Sequence, residues 1–136
     1  MISLFSLALM LSLTTSAPAQ TWIVIANGPT VRLIQGVVID ATDFPYEGMV
    51  VELYDNPDVI LKPGPGWEGK QHKIASATTD RNGKFKFPKV RPGKYEVRVT
   101  PDLRVGTNQK SVIVKVRRCW FWPLGRGLRI RIDSFM

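Results

Sequence analysis

The chain alternates apolar and polar side chains in short runs between residues 31 and 133, and this period of two is the feature that most constrains its fold. Successive side chains of a strand point to opposite faces, so such runs are typical of strands with one face in a core. No stretch of residues 20–136 has apolar residues at helical spacing for three turns. We therefore predict an all-β fold of seven strands, within residues 31–40, 49–53, 74–79, 84–87, 95–100, 112–117 and 128–133.

Turn signals separate these runs. The segment Asp80-Arg81-Asn82-Gly83 predicts a hairpin turn, in which the Asp80 carboxylate caps backbone amides and Asn or Gly accepts positive φ. The segment Arg91-Pro92-Gly93 is typical of a type II turn, with Gly93 in the left-handed position. Short strands with frequent turns favour a seven-stranded antiparallel Greek-key β-sandwich.

The amino-terminal segment has the features of an export signal. Residues 1–19 contain no charged side chain, residues 2–13 are largely apolar, and Ala17 and Ala19 have the spacing that signal peptidase reads. The apolar run is shorter than the roughly 20 residues that a membrane span needs. We predict a signal peptide over 1–19, an extension over 20–30 and a domain over 31–133. The protein is then exported to the periplasm or outside the cell, without a transmembrane anchor after cleavage.

The charge of the chain is unevenly distributed. It has 19 Lys and Arg against 11 Asp and Glu, a net charge of +8. Residues 20–68 hold two basic and seven acidic side chains, whereas residues 69–136 hold 17 basic and four acidic ones. Two interpretations remain open, a cationic surface for an anionic envelope polymer and a solubilising face. Nucleic acid suits an exported protein less well. The cations predicted to alternate outward are Lys84, Lys86, Arg98, Lys115, Arg117, Arg129 and Arg131.

The single histidine and single cysteine exclude several kinds of site. An intrachain disulfide and a Cys/His zinc cluster are both impossible. We find no nucleophile with a base and no paired carboxylates, so we expect no enzyme activity, metal or cofactor. His72 is expected to be a solvated loop residue. Cys119 is either a buried thiol or the donor of an intermolecular disulfide.

The tryptophans offer a second kind of candidate site. Trp67 lies in a loop rich in Pro and Gly over residues 62–69, where binding residues concentrate on a rigid scaffold. An exposed ring there could stack on a sugar; the alternative, which we favour, is that Trp67 folds back over one end of the sandwich. Trp120 and Trp122 continue the alternation of Val112, Val114 and Val116, so we expect them to close the core.

The order of these motifs resembles a known family. Gly36 to Asp40, Thr79 to Phe87 and Val90 to Val99 are similar to the carboxypeptidase regulatory-like domain, whose sandwich is similar to transthyretin. The resemblance implies mostly non-enzymatic roles. Together with the predicted signal peptide, the basic face and Trp67, it leads us to expect an exported, non-catalytic module for binding or cell-envelope structure, with a glycan, an anionic envelope polymer or a protein as candidate partner. The resemblance also implies a structural framework of Gly36, Gly48, Asp80, Gly83, Phe85, Phe87, Pro92, Gly93, Tyr95 and Val97.

Two of these implications concern packing. The inward residues of one hairpin are expected to be Phe85, Phe87, Tyr95, Val97 and Val99. Gly36 and Gly48 are expected where another backbone passes closely. A transthyretin-like hydrolase is a distant alternative, because the related hydroxyisourate hydrolases need several histidines and this chain has one.

Overall fold

The computed structural model describes residues 22–100, 109–118 and 128–131. The predicted signal peptide, Cys119 and the cluster Trp120-Phe121-Trp122 lie outside the described residues. Two short helical segments, Asp58–Leu61 and the 3₁₀ turn Trp67–Lys70, occur in one connection. The described strands are β1 Trp22–Ile25, β2 Thr30–Val31, β3 Gln35–Ile39, β4 Val50–Tyr54, β5 Lys73–Thr78, β6 Lys84–Lys86, β7 Gly93–Val99, β8 Gln109–Val116 and β9 Leu128–Arg131.

The strands form two sheets, which confirms the all-β sandwich. The large sheet has the order β1-β8-β7-β4-β5, with β2 also paired to β8, and the small sheet has the order β6-β3-β9. The prediction of seven antiparallel strands was wrong in two respects. The described residues form nine strands, and β1, β2 and β9 pair in parallel with their neighbours. The extra strands β1 and β2 arise because the extension before residue 31 pairs along the outer edge of β8.

The core lies between the sheets and holds the inward residues of the alternating runs. From the large sheet come Val51, Leu53 and Val97, each with no exposed surface. From the small sheet come Phe85 and Phe87, whose rings pack edge to face at 5.9 Å between centroids. Burying such a side chain stabilises the fold by about 1.5–3 kcal/mol.

The expectation that Phe85, Phe87, Tyr95, Val97 and Val99 share one hairpin was wrong. Strand β6 belongs to the small sheet and β7 to the large one, so these side chains meet across the core. The hairpin predicted at the Asp80 turn was also wrong, because β5 before it pairs with β4 in the large sheet and β6 after it pairs with β3 in the small sheet. The Gly83 carbonyl already accepts a hydrogen bond of 2.8 Å from the Val38 amide next to β6. The chain returns to the large sheet between Lys86 and Gly93. The carboxylate capping is present, since Asp80 Oδ1 accepts from the Asn82 and Lys84 amides at 2.8 and 2.9 Å.

Gly36 and Gly48 are required for different reasons. A Cβ on Gly36 would lie 2.0 Å from the Leu128 carbonyl oxygen, so the expected close approach of another backbone is present there. A Cβ on Gly48 would meet nothing within 4 Å, so no backbone passes closely. Gly48 instead has a φ of 76°, in the left-handed region that suits glycine.

The turn before β7 also differs from its prediction. Gly93 has a φ of 158° and pairs with Val116, so it is the first residue of β7 and not the αL position of a type II turn, although its positive φ still favours glycine. The loop containing Pro92 is instead held by a side chain of β7. The Tyr95 hydroxyl donates a hydrogen bond of 2.6 Å to the carbonyl oxygen of Arg91, which fixes the chain entering β7.

Candidate functional site

Four of the candidate cations lie on the two strands that flank β3 in the small sheet. Lys84 and Lys86 belong to β6, Arg129 and Arg131 belong to β9, and all four are exposed. The carboxylate of Asp43 lies 2.5 Å from the Arg131 guanidinium and 3.8 Å from that of Arg129. Two of the four positive charges on this surface are therefore partly neutralised by one acid.

A groove of about 550 Å³ runs along the β6 edge of the same sheet. Lys84 and Lys86 line it together with the carboxylate-bearing Asp80. Residues of β5, at the edge of the large sheet, form its opposite wall. The groove is of mixed charge, since Asp80 stands beside the lysines.

Lys115 and Arg117 lie on the other sheet, so the candidate cations form two surfaces rather than one stripe. Lys115 is in β8 and Arg117 follows its last residue; both are exposed. Strand β7 places Lys94 directly opposite Lys115. A second groove, of about 410 Å³, is lined by Pro92, Gly93, Lys94, Lys115, Val116 and Arg117. We call it the Lys94 groove.

Arg98 belongs to neither surface, which corrects its prediction as an outward, solvated cation. Its side chain is 14% exposed, and its guanidinium contacts both oxygens of Glu96 at 2.8 and 2.9 Å. It also donates to Gln71 Oε1 at 3.0 Å. The Tyr54 ring lies 3.9 Å below the guanidinium carbon and the Trp22 ring 5.1 Å away. Arg98 is covered because the Trp22 side chain, from β1 at the edge of the same sheet, and Gln71 of the loop before β5 contact it.

The carboxylate of Glu96 is the centre of this arrangement, although its side chain has no exposed surface. Besides Arg98, it accepts hydrogen bonds from Gln71 Nε2 at 2.7 Å and from the Ser111 hydroxyl at 2.5 Å. Ser111 in turn accepts from the Trp22 indole at 2.9 Å. A buried carboxylate is tolerated only when it is paired and hydrogen-bonded, and here both oxygens are. We call Glu96, Arg98, Gln71, Ser111 and Trp22 the Glu96 network.

A second carboxylate borders the network and titrates away from its ordinary value. Burial raises the pKa of Glu52, but hydrogen bonds from the Tyr54 and Thr100 hydroxyls, both 2.7 Å, outweigh it and the net pKa is lowered. Burial, followed by the hydrogen bond to Glu52, raises the pKa of Tyr54 to about 12. Burial opposes the charge of Arg98, yet hydrogen bonding to Glu96 leaves its pKa raised.

Trp67 packs on the same part of the molecule. Its ring lies 5.9 Å from that of Trp22, at an angle of 39°, and the residue is half-buried. Trp67 therefore folds back onto Trp22 of β1, as the favoured interpretation predicts, while sugar stacking by its ring stays a prediction. His72 is exposed, with its Nδ1 3.4 Å from the Asp55 carboxylate.

The sequence pattern did not identify Glu96 and Trp22 of the Glu96 network or Lys94 of the Lys94 groove. Glu96 and Lys94 both occupy outward positions of β7, and the period of two cannot say which of them is covered. Trp22 lies in the predicted extension, 89 residues away from its partner Ser111.

Among residues 22–100, 109–118 and 128–131, no three His, Cys, Asp or Glu side chains form a possible metal site. The same residues include no helix that is long and apolar enough to cross a membrane.

Comparison with known protein families gives a match that covers most of the described sandwich. The model of the carboxypeptidase regulatory-like domain matches residues 33–118, which include β3 to β8. A search of curated proteins finds none that matches the chain.

Proposed function

Because the chain belongs to the carboxypeptidase regulatory-like domain family, whose domains are non-catalytic modules, we propose that it is an exported, non-catalytic module that binds an anionic polymer of the cell envelope. Export is proposed from the uncharged apolar segment and the Ala17 and Ala19 spacing before Gln20.

One observation carries the choice of an anionic ligand. In the described part of the chain, five exposed cations on the two sheets have no carboxylate partner: Lys84, Lys86, Lys94, Lys115 and Arg117. Clustered charges of one sign raise the local concentration of an oppositely charged ligand and steer its approach. The sugar-stacking alternative has weaker support, because the Trp67 ring packs on Trp22.

Retention on immobilised heparin, a sulfated polysaccharide, tests the proposal. At about 0.15 M salt, interactions between exposed charges are screened beyond about 8 Å, so only close contacts persist. We expect retention above this salt concentration and no binding to immobilised neutral dextran. Elution in the flow-through would instead support a purely solubilising face.

Export needs a separate measurement. Sequencing the amino terminus of the protein recovered from the envelope or medium should give Gln20 as the first residue. Recovery from the cytosol with Met1 retained would contradict export but would not bear on polymer binding.

A further inference from the structure

The Lys94 groove gathers three cations on one face of adjacent strands. Lys94 of β7 lies directly opposite Lys115 of β8, and Thr30 of β2 lies on the other side of Lys115. Opposite side chains of an antiparallel pair have Cβ atoms about 4.5–5.5 Å apart. Arg117 projects from the same face two residues later, about 6.6 Å along the chain. The three charged groups can therefore reach the same ligand.

No acid neutralises these cations among the described residues. None of the three has an ion pair there, and none of the six residues lining the groove is acidic. The nearest acid on the same face of β7 is Glu96, whose carboxylate is fully buried and held by Arg98. Like charges directly opposite each other are destabilising, so the arrangement costs stability that a bound anion would recover.

The surface on the small sheet is different. Asp43 contacts both Arg129 and Arg131. Asp80 lines the groove that holds Lys84 and Lys86. An approaching polyanion meets carboxylates there, whereas the only charged groups among the described lining residues of the Lys94 groove are cations. The Lys94 groove is therefore the stronger anion site of the two.

The groove lining also indicates the chemistry of the ligand. Ammonium groups act as point charges for phosphate or sulfate, and a guanidinium adds a planar fork of donors. Single-stranded nucleic acids are held by aromatic rings on which bases stack, and none of the described lining residues is aromatic. Trp22 pairs with Gln109, six residues before Lys115 in the same strand, and so lies about 20 Å away.

We propose that the Lys94 groove is the main binding site for a polysaccharide bearing phosphate or sulfate esters. This inference rests on the proposed function, which requires only that the protein bind an anionic polymer somewhere on its surface. It adds the location, the three residues and the tetrahedral anion that they recognise.

Binding of dextran sulfate, phosphorylated dextran and neutral dextran to the purified protein tests the inference. The groove variant is Lys94→Gln with Lys115→Gln. Its matched control, Lys62→Gln with Lys70→Gln, removes the same charge from exposed loop residues that line neither groove. We expect the groove variant to bind the charged dextrans at least about tenfold more weakly and the control to bind nearly as well as wild type. The salt dependence, log K against log salt, should become shallower by about 2 in the groove variant alone.

The possible results separate the two proposals. Failure of the wild-type protein to bind either charged dextran would overturn the proposed function. Strong wild-type binding that both variants weaken equally would overturn only the groove assignment. Tighter binding of single-stranded DNA than of either charged dextran would overturn the polysaccharide. The tighter of the two charged dextrans identifies phosphate or sulfate, and either result supports the site. Lys94→Arg with Lys115→Arg should restore binding, and thermal melts should show that all variants fold.

Discussion

The outer face of the large sheet has a covered end, where the charged side chains are buried by other groups, and an open end, where they are exposed. Strand β7 contributes Arg98 to one end and Lys94 to the other, and β8 contributes Ser111 and Lys115 in the same order. At the first end Arg98 is held by Glu96 beneath Trp22. At the second end both lysines remain exposed. Whether a charged side chain is structural or available to a ligand depends on the element that covers it, not on its place in the strand.

The core beneath both ends sets the largest effect to expect. Phe87 is 1% exposed and packs against Phe85, so Phe87→Ala should leave a cavity. We expect the free energy of unfolding to fall by about 3–5 kcal/mol. Urea denaturation followed by fluorescence measures it. A midpoint unchanged from wild type would contradict the assignment of Phe87 to the core.

The comparison between the ends is tested most directly by a matched pair on β7. Glu96→Ala leaves Arg98 nearly buried without its carboxylate, and breaking a buried pair from one side costs about 3–5 kcal/mol. We expect the lower limit, about 3 kcal/mol, because Arg98 keeps some exposure. Lys94→Ala removes an exposed side chain and should change stability by less than about 0.5 kcal/mol. Similar unfolding midpoints for the two variants would show that the ends do not differ.

The inward side chains could be predicted because burial and a period of two agree along each run. Val51 and Leu53 in β4 illustrate this, since both have no exposed surface. The partner of each strand could not be predicted in this way. Strand β6 follows the Asp80 turn directly, yet it pairs with β3 in the small sheet and not with β5, the strand before the turn. Local turn chemistry specifies where the chain bends, whereas the pairing depends on contacts far apart in sequence.

The two ends of the large sheet show that the sequence pattern has the same limit in predicting site residues. Arg98 alternates with Val97 and Val99 as a solvated residue would, and only its contacts with Trp22 and Gln71 make it structural. Lys94 lies between the predicted turn at Arg91-Pro92-Gly93 and the strand predicted over 95–100, whereas β7 begins at Gly93. The burial of Arg98 depends on residues that are distant in sequence, and the outward position of Lys94 depends on where β7 begins. The sequence pattern therefore predicted neither.

The free energy of unfolding should also depend on pH in alkaline solution, because of Tyr54 at the covered end. The pKa of Tyr54, raised to about 12 by burial and by Glu52, exceeds the value of about 10 in an unfolded chain. The folded state therefore holds this proton more tightly. Its contribution to stability is complete below pH 10 and is lost as the pH rises to 12. Because Tyr54 is partly solvated, we expect a loss of about 1 kcal/mol. The stability of Tyr54→Phe should be less dependent on pH over this range, and parallel profiles for the two proteins would contradict the effect.

The smallest effect is expected at the open end, where Lys115 faces Lys94. Like charges directly opposite in a sheet are destabilising, by an amount within the 0.2–1 kcal/mol range of cross-strand pairs. Lys115→Gln removes one of them and should stabilise the protein by about 0.3 kcal/mol at low salt. The gain should disappear near 1 M salt, where the screening length falls to about 3 Å. Lys73→Gln is the matched control, because Lys73 lies 3.7 Å from Glu52 and its removal should not stabilise. A loss of stability in Lys115→Gln would mean that this lysine is held by a partner, and that the open end resembles the covered one.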